Sequence, residues 1–133
     1  MPIRPHVVDE RACPTDGWDG VSWKTLLSGD LSPTSQITQG VMEVEPGPPF
    51  ALRLHSHAQT ETYYVLSGKG LLRIEDEEYA LAPGVTAFIP GGLRHASFAT
   101  GDEPLRIFYT FAADSFADVI YEFHDGRPAP DAR

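Results

Sequence analysis

An all-β sandwich or barrel is the fold class this sequence predicts, and three observations carry the prediction. Its 12 prolines and 12 glycines are spread between short apolar segments instead of forming one tract. Turn signals recur at a spacing of about ten residues, which favours a sandwich or barrel over a βαβ fold. Helix signals are scarce, and short apolar runs bounded by Gly and Pro read as strands. In chain order, the first 20 residues or so form an arm with no assigned element. Strands are predicted over 36–44 and 50–55, separated by the PGPP turn at 46–49. The next pair, 61–67 and 70–75, is joined through SGKG at 67–70. Strand 78–81 ends at APG (82–84), and strand 86–89 ends at IPGG (89–92). Strands 96–99 and 105–111 follow, and the second of these is the candidate for buried interior. Segment 115–121 reads as a short helical turn or an edge strand. The ending DGRPAPDAR is polar and Pro-rich, the composition of a frayed tail. The division that follows is an arm over 1–25, a barrel over 26–123 and a tail over 124–133.

A chain of 133 residues fits one domain. A domain of this size buries roughly 65–70% of its unfolded surface, so it needs no disulfide or structural metal to stay folded. A metal site in it therefore serves function. With 10 Lys+Arg against 19 Asp+Glu the net charge is −9, which argues against partners that recruit clustered cations, namely nucleic acid and anionic membrane. The single cysteine, Cys13, cannot close an intramolecular disulfide, which favours a reducing compartment. The N-terminal stretch MPIRPHVVDERACP lacks the apolar run of a signal peptide, and no apolar run is long enough for a membrane helix. The expected location is the cytoplasm.

The chemistry concentrates in Leu54-His55-Ser56-His57-Ala58-Gln59-Thr60-Glu61. Side chains two apart on a strand share a face, so His55 and His57 project together. A turn after His57 that re-enters a neighbouring strand at Glu61 adds a carboxylate to the two imidazoles. His95 follows Pro90-Gly91-Gly92-Leu93-Arg94, whose glycines permit the tight geometry that brings a distant strand alongside. Three neutral imidazoles and one carboxylate suit Fe(II), Mn(II), Ni(II), Co(II) or Zn(II), with positions left open for water or substrate. By the same two-residue period Arg53 shares the face of His55 and His57, and Tyr63 shares the face of Glu61. Both are expected to face the cavity, Arg53 either on a substrate carboxylate or paired with an acidic neighbour at the barrel mouth. A phenol so close to a bound cation has its pKa drawn down from about 10, toward use as a general base.

HSHAQTE followed by Gly68, and Gly84-VTAFI-Pro90-Gly91-Gly92-Leu93-Arg94-His95, resemble the two sequence motifs of the cupins, in order and with a short spacer. The resemblance implies a double-stranded β-helix, or jelly roll, with one divalent ion on His55, His57, Glu61 and His95. Pro49 and Ala99 stand where the motifs usually carry Gly and Asn, neither of them a ligand position. The segments GVSWKTLL (20–27), QGVMEVEPG (39–47), HSHAQTETYYVLSGKG (55–70) and RIFYTFAADSFADVIYEF (106–123) further resemble the small cupin lyases that cleave dimethylsulfoniopropionate. That resemblance implies catalytic roles for Tyr63, as base or substrate-orienting partner, and for Tyr121. Its substrate is a carboxylate with a sulfonium two carbons away, and Trp23, Tyr64 or Phe108 would offer the cation an aromatic face.

Fold alone does not select the chemistry. A metal-dependent lyase, a non-haem Fe(II) dioxygenase and a non-catalytic small-molecule-binding cupin all use this framework. A sugar isomerase or epimerase would want a more polar pocket. A homodimer is expected as well, because small jelly rolls expose sheet faces and edges, with residues 1–25 as the arm crossing to the partner.

Overall fold

A computed structural model describes residues 2–130, and among these described residues there are eleven antiparallel strands. They are β1 (Asp16–Trp18), β2 (Val21–Leu27), β3 (Thr38–Val44), β4 (Leu52–Ser56), β5 (Glu61–Ser67) and β6 (Gly70–Ile74). The remainder are β7 (Glu77–Leu81), β8 (Thr86–Ile89), β9 (His95–Ala99), β10 (Leu105–Phe111) and β11 (Glu122–Phe123). Two 3₁₀ turns, Glu10–Ala12 and Phe116–Asp118, are the helical elements among the described residues. One sheet runs β1-β2-β3-β10-β5-β8 and the other β11-β4-β9-β6-β7. Between them lies one core to which both sheets contribute, with Val44, Val65, Ile89, Leu105 and Ile107 from the first and Leu52, Leu72 and Leu81 from the second. This is the jelly roll.

The eight strands predicted between residues 36 and 111 are all present, with ends displaced by no more than two residues. The segment predicted as helical turn or edge strand contains the 3₁₀ turn Phe116–Asp118. Residues 1–25, expected as an arm, carry β1 and most of β2, and β2 adds to the six-stranded sheet by pairing with β3 from Val21↔Val44 to Leu27↔Gln39. The signal for this hairpin is Asp19-Gly20, which joins Trp18 to its partner Val21 with Gly20 at φ +76°, a conformation glycine adopts at no steric cost. The end of the predicted tail, residues 131–133, lies outside the described residues.

Period-two alternation is strict in β5 and β10. In β5 Glu61, Tyr63 and Val65 are buried, while Thr62, Tyr64 and Leu66 are exposed. In β10 Leu105, Ile107, Tyr109 and Phe111 are buried, and Phe108 takes the opposite face. Tyr64 and Phe108 are register partners there, so both rings lie on the outer face of the six-stranded sheet. The expectation that they meet substrate is thereby corrected: each is one residue out of phase with the interior.

Candidate metal centre

Three strands and one loop converge on a cluster of imidazoles. His55 is on β4 and pairs directly with His95, the first residue of β9. His57 stands just beyond the end of β4, and Glu61 opens β5 in the opposite sheet. The Pro90-Gly91-Gly92 turn is seated against the His57 loop, with the Gly92 N–H donating to the His57 carbonyl at 2.8 Å. A Cβ on Gly91 would lie 2.1 Å from the Ala58 carbonyl oxygen, so only glycine lets the two loops approach this closely. His55, His57 and His95 are all buried, and one ring nitrogen of each falls within 4.8 Å of those of the others.

Each ring is fixed through its other nitrogen. His55 Nδ1 donates to the Arg53 carbonyl at 2.6 Å, His57 Nδ1 to that of Gln59 at 3.0 Å and His95 Nδ1 to that of Leu93 at 3.1 Å. A carbonyl can only accept, so Nδ1 carries a proton in each ring and Nε2 is the nitrogen turned toward the centre, the one available to a metal. Burial and the neighbouring imidazoles hold His55 well below its ordinary pKa of 6.5, hence neutral. Glu61 Oε1 lies 3.2 Å from His57 Nε2 and 3.3 Å from His95 Nε2, and His95 Nε2 has no hydrogen-bond partner. Three buried imidazole nitrogens converging beside one carboxylate fit a divalent transition ion.

Beside this cluster is a cavity of about 20 Å³ with Glu61 on one side and Trp18, Trp23, Phe111, Phe116 and Tyr121 around it. Trp18 meets Trp23 edge-on at 4.9 Å and Tyr121 at 5.6 Å. The Tyr121 ring stacks on His55 with centroids 4.8 Å apart and planes 13° apart. Of the residues singled out in the sequence, Trp23 and Tyr121 therefore reach the cavity, while Tyr64 and Phe108 do not. Tyr63 is buried on the inner face of β5, one pleat from Glu61. Burial first, then the Glu61 charge, push its phenol well above 10, with the Ser97 hydroxyl pulling the other way.

Arg53 departs from the predicted face. The β4–β9 register shifts between Leu52↔Ser97 and His55↔His95, a β-bulge that puts Leu52 and His55, three residues apart, both inward. The Arg53 guanidinium pairs with Asp125 at 2.6 Å, in line with the acidic-neighbour alternative, and does not line the cavity. Trp18 and Phe116 line the cavity without having been singled out in the sequence. Trp18 sits on a three-residue strand too short to show a period, and Phe116 in a 3₁₀ turn.

Comparison with known proteins agrees with this geometry. Dimethylsulfoniopropionate lyase DddW of Ruegeria pomeroyi is 34% identical over 128 residues, covering 92% of this chain and 82% of that protein. Among solved structures, a variant of oxalate decarboxylase OxdC of Bacillus subtilis superposes with a TM-score of 0.74 at 21% identity, over 86% of this chain and 30% of that one. An RmlC-like cupin from Shewanella frigidimarina superposes with a TM-score of 0.71 at 16% identity, covering 89% of this chain and 98% of that one. At these identities the two structures speak for the fold alone. The Cupin_2 family model, described as a cupin domain, matches residues 40–111, from β3 through the end of β10 and so across all three histidines and Glu61. A jelly roll with this match over more than half its length is a member of that family: the chain is a cupin.

Proposed function

We propose that this cupin is a metal-dependent lyase that eliminates dimethyl sulfide from dimethylsulfoniopropionate to give acrylate. The observation that carries the reading is the near full-length similarity to a protein named as that lyase. His55, His57, Glu61 and His95 would hold one divalent ion, from among Fe, Mn, Ni, Co and Zn. When bound, the ion acts as a Lewis acid toward the substrate carboxylate, favouring the negative charge that develops as the α-proton leaves. Tyr63 Oη takes that proton. As the α C–H bond breaks, its electron pair forms the C=C bond and the β C–S bond breaks toward sulfur. Burial holds the proton on Tyr63, and a cation bound beside Glu61 would lower the phenol toward a working base.

Trp18, Trp23, Phe116 and Tyr121 surround the space next to Glu61 and suit the sulfonium end. An aromatic face contributes about 0.5–2 kcal/mol to holding a cation. Trp18 and Phe116 take the place that Tyr64 and Phe108 held in the sequence reading. The assembly we infer is a homodimer. Ile3 and Val7 of the N-terminal arm are 64% and 96% exposed, and Tyr64, Leu66 and Phe88 stand exposed on the outer sheet face. Sedimentation showing only monomer at micromolar concentration overturns that inference.

The test of the lyase reading is headspace dimethyl sulfide from purified protein loaded in turn with Fe(II), Mn(II), Ni(II) and Zn(II). Metal-dependent release that disappears in His55→Ala is the expected result. No release with any fully loaded metal removes the named substrate.

A further inference from the structure

The segment that brings Tyr121 onto the metal centre has little backbone to hold it. Its strand, β11, has two residues, pairing Glu122 with Ser56 and Phe123 with His55. One more backbone bond, His124 N–H to the Leu54 carbonyl at 2.9 Å, continues it. Strand pairs this short fray readily. Side chains supply the rest. Arg53 Nε and Nη2 donate to Asp125 Oδ2 and Oδ1 at 2.6 and 2.8 Å, and Nη2 also reaches the Arg127 carbonyl at 3.2 Å. The same guanidinium lies 4.5 Å over the Phe123 ring. The two side chains are only 12% and 21% exposed, so this two-point pair is shielded in a way that ordinary surface pairs are not. On the other side of Phe123, Ser56 Oγ and His124 Nε2 are hydrogen-bonded at 2.8 Å.

We propose that Arg53 is a positioning residue of the metal centre: its guanidinium, through Asp125 and Phe123, holds the C-terminal strap so that Tyr121 lies on His55, while its carbonyl sets the His55 ring. One residue thus connects a metal-facing imidazole to the cover above it. A reason for such an anchor lies in the size of the cavity. At about 20 Å³ it has room for about one water, so a larger substrate is admitted only as the lining shifts. The strap is a part of that lining with few backbone bonds, and an anchored strap returns to one position. Only the word "substrate" here depends on the lyase reading; the anchor itself is testable without one.

The experiment compares Arg53→Ala, Asp125→Ala, the double variant and Arg53→Lys with the wild type. Trp18 and Trp23 are the chain's two tryptophans and both line the cavity, so acrylamide quenching of their fluorescence reads the strap directly. Each single variant is expected to lose the tryptophans' protection, and the double variant to lose no more than either. Arg53→Lys keeps the charge without the planar fork and recovers only part of the protection. Metal content stays at the wild-type level, because the guanidinium touches no ligand nitrogen. With dimethylsulfoniopropionate, kcat falls about 10–100-fold and KM changes less, as misplacement of a reacting-site group predicts. Unchanged quenching in Asp125→Ala, or additive losses in the double variant, overturns the proposal. If the wild type turns over no dimethylsulfoniopropionate, the lyase reading fails while the quenching still decides the anchor. If Arg53→Ala does not fold, Asp125→Ala, which leaves β4 intact, carries the same expectation.

Discussion

The two sides of the cavity are built by different rules. On the ligand side, three imidazoles come from or adjoin strands deep in the sheets, each pinned through Nδ1 to a carbonyl two residues away. On the aromatic side, Trp23 stands on β2 in the sheet, but Trp18, Phe116 and Tyr121 come from a three-residue strand, a 3₁₀ turn and a strap. Precision is needed where several donors must meet one point, and it is supplied by the elements least able to move. Adaptability is needed where a ligand must pass, and it is supplied by elements with few backbone bonds.

The largest effect comes from breaking the rigid side. His95→Ala removes the ligand whose Nε2 lacks any hydrogen-bond partner, so metal content and dimethyl sulfide release both fall to background while the fold survives. Measurement of bound metal and of far-UV circular dichroism checks both halves. The same side sets a pH dependence in the metal-free protein. His55 is held neutral in the fold, whereas in the unfolded chain it takes up a proton near 6.5. Below that pH the unfolded state binds more protons, so Tm falls as pH drops through about 6.5, and His55→Gln flattens the fall.

Next in size is the loss of the proposed base. Tyr63→Phe keeps the ring in its buried place and removes only the hydroxyl, so kcat falls about 10²–10⁴-fold with stability little changed. Because burial pushes the phenol up, its reactive form becomes more abundant as pH rises, and kcat/KM climbs on that limb. The limb vanishes in Tyr63→Phe. Trp23→Leu sharpens the contrast from the other side: metal content holds, and KM rises about 2–30-fold as one face toward the cation is lost. A kcat effect in Trp23→Leu equal to that of Tyr63→Phe breaks the division between the two walls.

The rigid wall was also the legible one. His55, His57, Glu61 and His95 are read directly from two short motifs because their spacing is the spacing of strands and tight turns, which sequence carries locally. The jelly roll follows from the same periodicity and punctuation. The cover was hidden for a physical reason: its residues are far apart in the chain, Trp18 near one end and Phe116, Tyr121 and Asp125 near the other, on elements too short to show any period. Arg53 fell on the wrong face because the bulge in β4 is written in the β4–β9 register and in no residue of β4 itself. The Asp19-Gly20 turn signal stands in the sequence but was passed over, and it marks the start of the sheet inside residues 1–25.

The smallest effect belongs to the face that sequence reading mistook for part of the site. Tyr64 and Phe108 are bulky aromatics, and their aromatic faces made them candidates for cation contact. Parity decides otherwise: Tyr64 follows buried Tyr63 and precedes buried Val65, and Phe108 lies between buried Ile107 and Tyr109. A sheet separates both rings from the cavity, a distance over which a cation–π contact cannot act. Tyr64→Ser and Phe108→Ser are therefore expected to leave kcat, KM and metal content at wild-type values. Their effect falls on association, where loss of apolar surface from the outer face shifts the sedimentation profile toward monomer. A rise in KM for either variant at unchanged oligomeric state puts the ring back in the site and breaks the two-face reading of β5 and β10.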